Sequence, residues 1–285
     1  MVLASALLHA SWSVSIKGST DPLGFNLLQC WVALASLLVI APFVDFAELP
    51  PVVWGLLAAT GLSHGLYFYW MSRAFELGDL SLVYPIARST PAFLPLAAVP
   101  LFGEVPTAGG LAGIAVVVAG VWLVYGGRLS RARLAEPAAR FAFLTLAATV
   151  AYSLLDAATM RKLAGASWTS PIPRPVVFSV LLSVANLFLF APLVLRRRSL
   201  QALHATASAE FGKATLAALV SFASYTLILA ALQTAPVSYV VAVRQSSVLF
   251  AVALGMLLLR ERPGRGRIVG AALTVAGVAL IARCS

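Results

Sequence analysis

Apolar runs of 16 to 24 residues cover most of the chain, separated by short clusters of charge, Pro and Gly. Ten such segments emerge: 2–17, 24–44, 52–73, 80–102, 108–126, 140–162, 175–195, 212–233, 236–259 and 267–283. About 20 apolar residues cross a bilayer as a helix, whereas barrel strands are alternating stretches of about ten. These runs are longer and apolar on all sides. Connectors such as 17–23, 45–51 and 104–107 are too short to hold domains. Because the hydrocarbon offers no water to backbone groups, each run must satisfy its own hydrogen bonds. The pattern predicts an all-α polytopic membrane protein of ten transmembrane helices.

Composition agrees. Of 285 residues, 61% are hydrophobic and 11% charged, with a mean hydropathy of +0.94. A soluble domain is about 45–50% apolar and a quarter charged, so a soluble enzyme, a disordered chain and a disulfide scaffold are excluded. The net charge of +10 does not point to nucleic acid, because Lys and Arg sit in connectors, where they orient spans and meet anionic headgroups. Fourteen fall after odd-numbered segments, including Lys17, Arg73, Arg133, Arg196, Arg197, Arg198 and Arg267. Only Arg161, Lys162, Arg174 and Arg283 fall on the other side. The positive-inside rule puts the basic face in the cytoplasm and both termini outside. No basic residue precedes the first run and further runs follow, so a cleaved signal peptide is not expected. Cys30 and Cys284 form no disulfide or metal pattern, and neither cofactor nor metal is expected.

The fourth and fifth segments recur as the ninth and tenth. Arg88, Glu104, Gly113 and Gly120 return as Arg244, Glu261, Gly270 and Gly277, 156 or 157 residues later. The chain therefore divides into a five-helix repeat at 1–126, a basic linker at 127–139 and a second repeat at 140–285. An odd number of spans per repeat inverts one relative to the other, the plan of many secondary transporters. These features resemble EamA-type transporters of the drug/metabolite transporter superfamily. The resemblance rests on Phe102-Gly-Glu104 with Gly113 and Gly120, on Glu261 with Gly270 and Gly277, and on the opening His9-Ala-Ser-Trp12 with Lys17. It implies a multi-pass protein of a bacterial cytoplasmic (inner) membrane that moves a small metabolite by alternating access, without an ATPase. The family's usual topology has both termini in the cytoplasm, opposite to the charge count. The opening is similar to that of permeases associated with phosphonate use; amino-acid or organic-acid export fits the same fold.

Arg88 and Arg244 lie about eight residues into their segments, roughly 12 Å deep. A charge there costs about 2.5–3.5 kcal/mol on insertion scales. Guanidinium forks match carboxylate and phosphate, so an anionic or zwitterionic substrate is expected at the midplane, with Tyr84, His64, Tyr67, Tyr225 and Gln245 shaping the cavity. His9, His64 and Asp156 are candidates for proton coupling; Asp156 is expected to pair with Arg161 or Lys17, or to join the coupling. Asn26, Gln29, Asn186, Ser221 and Ser224 are further polar candidates, while Tyr69 and Trp70 read as packing or interfacial anchors. Glu104 and Glu261 are expected to bond connector amides or basic neighbours. Gly109/Gly113 and Gly266/Gly270 permit close helix approach, within a repeat or across a homodimer. Gly61-Leu-Ser63-His64-Gly65 matches GxSxG, but a nucleophile elbow needs a strand-to-helix turn and this stretch lies inside an apolar helix. An enzyme is not expected. A lipid translocator or a membrane scaffold is the alternative to a solute transporter.

Overall fold

The computed structural model describes residues 1–17, 19–126, 131–258 and 264–284. Glu261, its neighbours in 259–263 and the linker residues 127–130 fall outside the described residues, as does the side chain of Lys17. The described chain is helical throughout. In order it forms α1 (Val2–Lys17), α2 (Pro22–Ile40), α3 (Pro51–Leu77), α4 (Leu80–Ala87), α5 (Thr90–Phe102), α6 (Ala108–Val124), α7 (Arg131–Leu134), α8 (Pro137–Ala164), α9 (Arg174–Leu195), α10 (Leu200–Leu232), α11 (Val237–Arg244), α12 (Ser247–Leu258) and α13 (Arg265–Cys284). Among the described residues, seven helical stretches are long and apolar enough to cross a membrane, and Val2–Trp12 and Ala108–Val124 are shorter apolar helices.

Proline sets several starts. Pro22, Pro51 and Pro137 stand at the first helical positions of α2, α3 and α8, where a missing N–H costs nothing. The segment expected at 212–233 begins earlier: α10 starts at Leu200, where the Ser199 side chain accepts from the Ala202 amide. The polar turns after that cap continue the helix beyond the apolar run, which hydropathy alone does not register.

Two expected spans are broken in the middle. Between α4 and α5 the helix is interrupted at Arg88 and Ser89. Pro91 cannot donate to the Ala87 carbonyl, which accepts instead from Thr90 Oγ1 at 3.3 Å. The Pro85 carbonyl accepts from Ser89 Oγ at 2.6 Å, and Trp122 Nε1 donates to that same hydroxyl at 2.8 Å. Between α11 and α12 the break falls at Gln245 and Ser246, with no proline present. The turn there tightens instead, the Gln245 and Ser246 amides bonding carbonyls three residues back. The breaks lie 157 residues apart, so Arg88 corresponds in register to Gln245, and Arg244 stands one residue earlier in its own helix.

α6 and α13 pack face to face and antiparallel. A Cβ on Gly120 would lie 2.7 Å from the Gly270 carbonyl oxygen, and one on Gly277 would lie 2.7 Å from that of Gly113. Gly109 faces Cys284 and Gly266 faces Leu123. The GxxxG glycines thus join the fifth expected segment to the tenth, and not helices of one repeat. α3 runs antiparallel to α8, with Gly78 against Ala138 at one end and Thr60 bonded to Asp156 further along.

Connector contacts sort the bundle into two ends. At one, Arg198 bonds Asp21 at 3.0 Å and Arg197 approaches Glu76 at 3.6 Å; this is the end rich in Arg. At the other, Thr107 Oγ1 donates to the Cys284 carbonyl at 2.7 Å and the Thr169 amide to Glu48. We expect Gly120→Leu to destabilise the protein by at least about 3 kcal/mol, the upper end of core overpacking. Gly55→Leu, with nothing within 4 Å of its Cβ, should be near neutral. Thermal unfolding midpoints in detergent check both.

Candidate functional site

A cavity of about 200 Å³ lies at the centre of the bundle. Among the described residues nine helices and both helix breaks contribute, including His9 and Trp12 from α1, Asn26, Gln29 and Cys30 from α2, His64, Tyr67 and Met71 from α3, Arg88 at the first break, Tyr152 from α8, Asn186 from α9, Tyr225 from α10, Arg244 from α11 and Gln245 at the second break. The breaks matter because freed backbone at membrane depth is tolerated where it lines a cavity. On α2, α3 and α9 the lining runs from the helix middle toward the Arg-rich end, ending at Asn26, Met71 and Phe190. Towards the other end the space is filled by the largest apolar cluster, including Leu49, Val53, Leu94, Met160, Phe178, Leu232 and Val237. The cavity therefore opens toward the Arg-rich face and is shut at the face bearing the termini.

The closed end carries a buried carboxylate. Glu104, 7% exposed, accepts from the first amides of α11, Val237 at 2.7 Å and Ser238 at 3.3 Å, and from Ser238 Oγ at 2.8 Å. Arg161 donates to the same group at 2.8 Å while its guanidinium lies 4.2 Å from the centre of the Phe102 ring. Gly103, in the left-handed region at φ 64°, ends α5 and turns the chain so that Glu104 can reach across. A carboxylate on a helix N-terminus satisfies orphan donors and opposes the helix dipole. Expected to meet connector amides or basic neighbours, Glu104 meets both, across the bundle.

Both arginines reach the cavity. Arg88 Nη2 donates to His9 Nε2 at 3.2 Å. Because a guanidinium only donates, that ring nitrogen must accept, which puts the proton of a neutral His9 on Nδ1. The Arg244 guanidinium lies 5.2 Å from the centre of the Tyr225 ring, and its buried Nε has no hydrogen-bond partner among the described residues. Neither arginine has a carboxylate within salt-bridge distance among those residues. Buried Asn186 Oδ1 and Gln245 Oε1 are likewise unpartnered there.

Asp156 stands one layer behind the wall, fully buried. It accepts from Thr60 Oγ1 at 2.6 Å and from the Tyr225 hydroxyl. His64 Nε2 lies 3.4 Å from Asp156 Oδ2 and 3.1 Å from the Tyr225 oxygen. The expected pairing of Asp156 with Arg161 is not formed, since Arg161 turns to Glu104 at the closed end. Tyr84 does not line the cavity: its ring stacks on Tyr125, centroids 4.7 Å apart, with Arg88 5.7 Å from its centre. Ser224 is occupied by paired bonds with Ser5. Ser63 donates to the Ala59 carbonyl within its helix, unlike a nucleophile on an elbow.

Sequence reading passed over Tyr152. Its ring stacks on His64 at 4.0 Å and meets Tyr67 edge-on at 5.7 Å. The signal was present, since Tyr152 lies one turn before Asp156 on α8 and shares its face. Trp12 Nε1 donates to Gln29, whose amide nitrogen donates to Asn26, both at 2.9 Å, extending a polar wall toward the open end.

The EamA-like transporter family model matches residues 1–126 and 139–283. The chain belongs to the EamA-like transporter family. An EamA-like chain is an integral membrane protein, and members of the family move small solutes across membranes rather than catalysing reactions. A solved structure described as "Crystal structure of protein" has the same fold, with a TM-score of 0.75 at 17% identity over 98% of this chain and 95% of that one. No curated protein matches this EamA-like chain significantly.

Two outcomes check this geometry. Glu104→Ala strands the buried donors at the start of α11, and we expect a loss of about 2 kcal/mol, the order of leaving buried hydrogen-bond donors unsatisfied, read as a lower thermal midpoint. In a Cys284→Ser background, Cys30 should react with a small charged methanethiosulfonate from one side of the membrane. That side should be the one that reaches a cysteine placed at Ala132, not one placed at Ser167.

Proposed function

We infer that this EamA-like protein is a secondary-active transporter of a small anionic or zwitterionic metabolite, bound between Arg88 and Arg244. The observation that carries the reading is a pair of guanidinium groups on one central cavity, neither salt-bridged to a described carboxylate and one with an unpartnered Nε. Charge held at membrane depth is costly, and a carboxylate, phosphonate or phosphate ester fits the guanidinium fork. His64, Tyr67, Tyr225 and Gln245 bound the same space; Tyr84 acts behind Arg88 through its ring.

Transport by alternating access of two inverted five-helix repeats, ten spans in all, is supported by three features. The helix breaks repeat at an interval of 157 residues, α6 and α13 pair antiparallel, and the cavity is open toward one face and packed shut at the other. On the positive-inside rule the open, Arg-rich face is cytoplasmic, in a bacterial inner membrane. A homodimer would have to use another surface, since the GxxxG glycines are taken up between α6 and α13.

Counterflow in proteoliposomes with methylphosphonate, a phosphate ester, aspartate and lactate tests the assignment. At least one anion should exchange, and Arg88→Ala and Arg244→Ala should each reduce its rate more than tenfold, with Arg→Lys variants only partly active because Lys lacks the planar fork. Wild-type rates in both alanine variants would remove the arginines from the substrate site.

A further inference from the structure

The two histidines on the cavity have opposite surroundings. His9 Nε2 accepts from Arg88, so a second proton there would displace a permanent cation or be repelled by it. His64 instead faces a carboxylate: its Nε2 lies 3.4 Å from Asp156 Oδ2 and 3.1 Å from the Tyr225 hydroxyl, which itself donates to Asp156. With the Tyr225 proton directed at Asp156, His64 Nε2 is placed as a donor to both oxygens. Asp156 has no exposed surface, whereas the His64 side chain keeps 12% and lines the cavity. Two cavity-lining side chains touch the carboxylate, His64 and Tyr225, and of these only the imidazole can hold an added proton.

We propose that His64 and Asp156, bridged by Tyr225, are the binding site for one coupling proton, which enters together with the anionic substrate, and that His9 is a positioning residue for Arg88. The proposal rests on the anion-transport reading above. Empty, the pair holds a neutral imidazole and a carboxylate, one negative charge in all. One proton from cavity water gives an imidazolium–carboxylate pair, or a neutral imidazole with a carboxylic acid, and no net charge. The other charged and titratable groups around it are Tyr152 against the imidazole with Tyr67 edge-on to Tyr152, Arg244 over the Tyr225 ring, and Arg88 with His9 on the same cavity.

Tyr225 joins the two sites. Its hydroxyl is bonded to Asp156 and its ring carries the Arg244 guanidinium 5.2 Å from the centre. While Asp156 is charged it partly satisfies the field of Arg244 through the phenol. Protonation removes that charge and leaves Arg244 uncompensated, so its attraction for an anion rises. By reciprocity, a bound anion raises proton affinity by the same factor. Proton and anion therefore favour each other, which is the sign needed for cotransport and not exchange.

The test uses the full-length protein in liposomes loaded with pyranine, with methylphosphonate, aspartate and lactate as probes. For whichever probe exchanges in counterflow, its entry should acidify the lumen. Asp156→Asn retains an acceptor for Thr60 and mimics the neutral acid; it should keep counterflow within about threefold but lose the acidification. His64→Gln should also lose it, which keeps the test open if Asp156→Asn fails to fold. Tyr225→Phe leaves the ring beneath Arg244 and should lower the protons moved per anion. His9→Gln should leave that ratio unchanged even where it slows transport. Counterflow without acidification in the wild type, lumen alkalinisation, or acidification persisting in Asp156→Asn and His64→Gln would each overturn the proton site while leaving anion transport standing. If no probe exchanges in the wild type, the anion-transport reading falls and the proton site with it.

Discussion

A guanidinium at membrane depth must have an anion, a dipole or water against it, and the centre of this molecule is arranged around two of them. Arg88 rests on His9 and near the Tyr84 ring; Arg244 lies over the Tyr225 ring with its Nε unpartnered among the described residues. The described carboxylates are spent elsewhere, Glu104 on α11 and Arg161, and Asp156 on Thr60, Tyr225 and His64. Two continuous apolar helices packed side by side could not host such groups. Broken helices with a polar cavity between them can, because backbone and side-chain dipoles then stand in for solvent.

The same need explains the uneven distribution of packing. Where α6 meets α13, glycines let backbones touch, and the one hydroxyl against Gly120, that of Thr274, is bonded back to the Gly270 carbonyl within α13. At the closed end a continuous apolar cluster surrounds Glu104, whose carboxylate ties the end of α5 to the start of α11 and to α8. Toward the Arg-rich face the apolar packing is divided into smaller clusters, one around Ala74 and Ala138 and one around Leu23 and Phe190. One end thus holds the buried Glu104 carboxylate on Arg161, the other more exposed pairs such as Arg73–Glu76, which are individually weak.

Much of this was legible in the chain. The Pro and Gly punctuation placed most helix ends within a few residues, although α10 ran on beyond its apolar run because Ser199 caps it earlier. The first break falls inside a run read as one segment, where Pro91 removes an amide donor. The second had no proline to announce it and was visible only by its register with the first. The intramembrane charges singled out Arg88, Arg244 and Asp156, but not their company. Asp156 was open to Arg161, to Lys17 or to a coupling role; the fold gives Arg161 to Glu104, and the side chain of Lys17 lies outside the described residues.

The sequence by itself determined the class of solvent, the helical state of every run, the side on which positive charge collects and the few polar groups costly enough to need a purpose. All of these depend on composition and on neighbours along one helix. Only the tertiary structure decided which of those groups meet. A helix that is apolar on all sides has almost no preferred face, so nothing local fixes its rotation. Close packing of α3 on α8 at Gly78 and on α9 at Gly61 and Gly65 fixes it instead, and His64 of α3, Asp156 of α8 and Tyr225 of α10 meet in one hydrogen-bonded cluster beside Arg244.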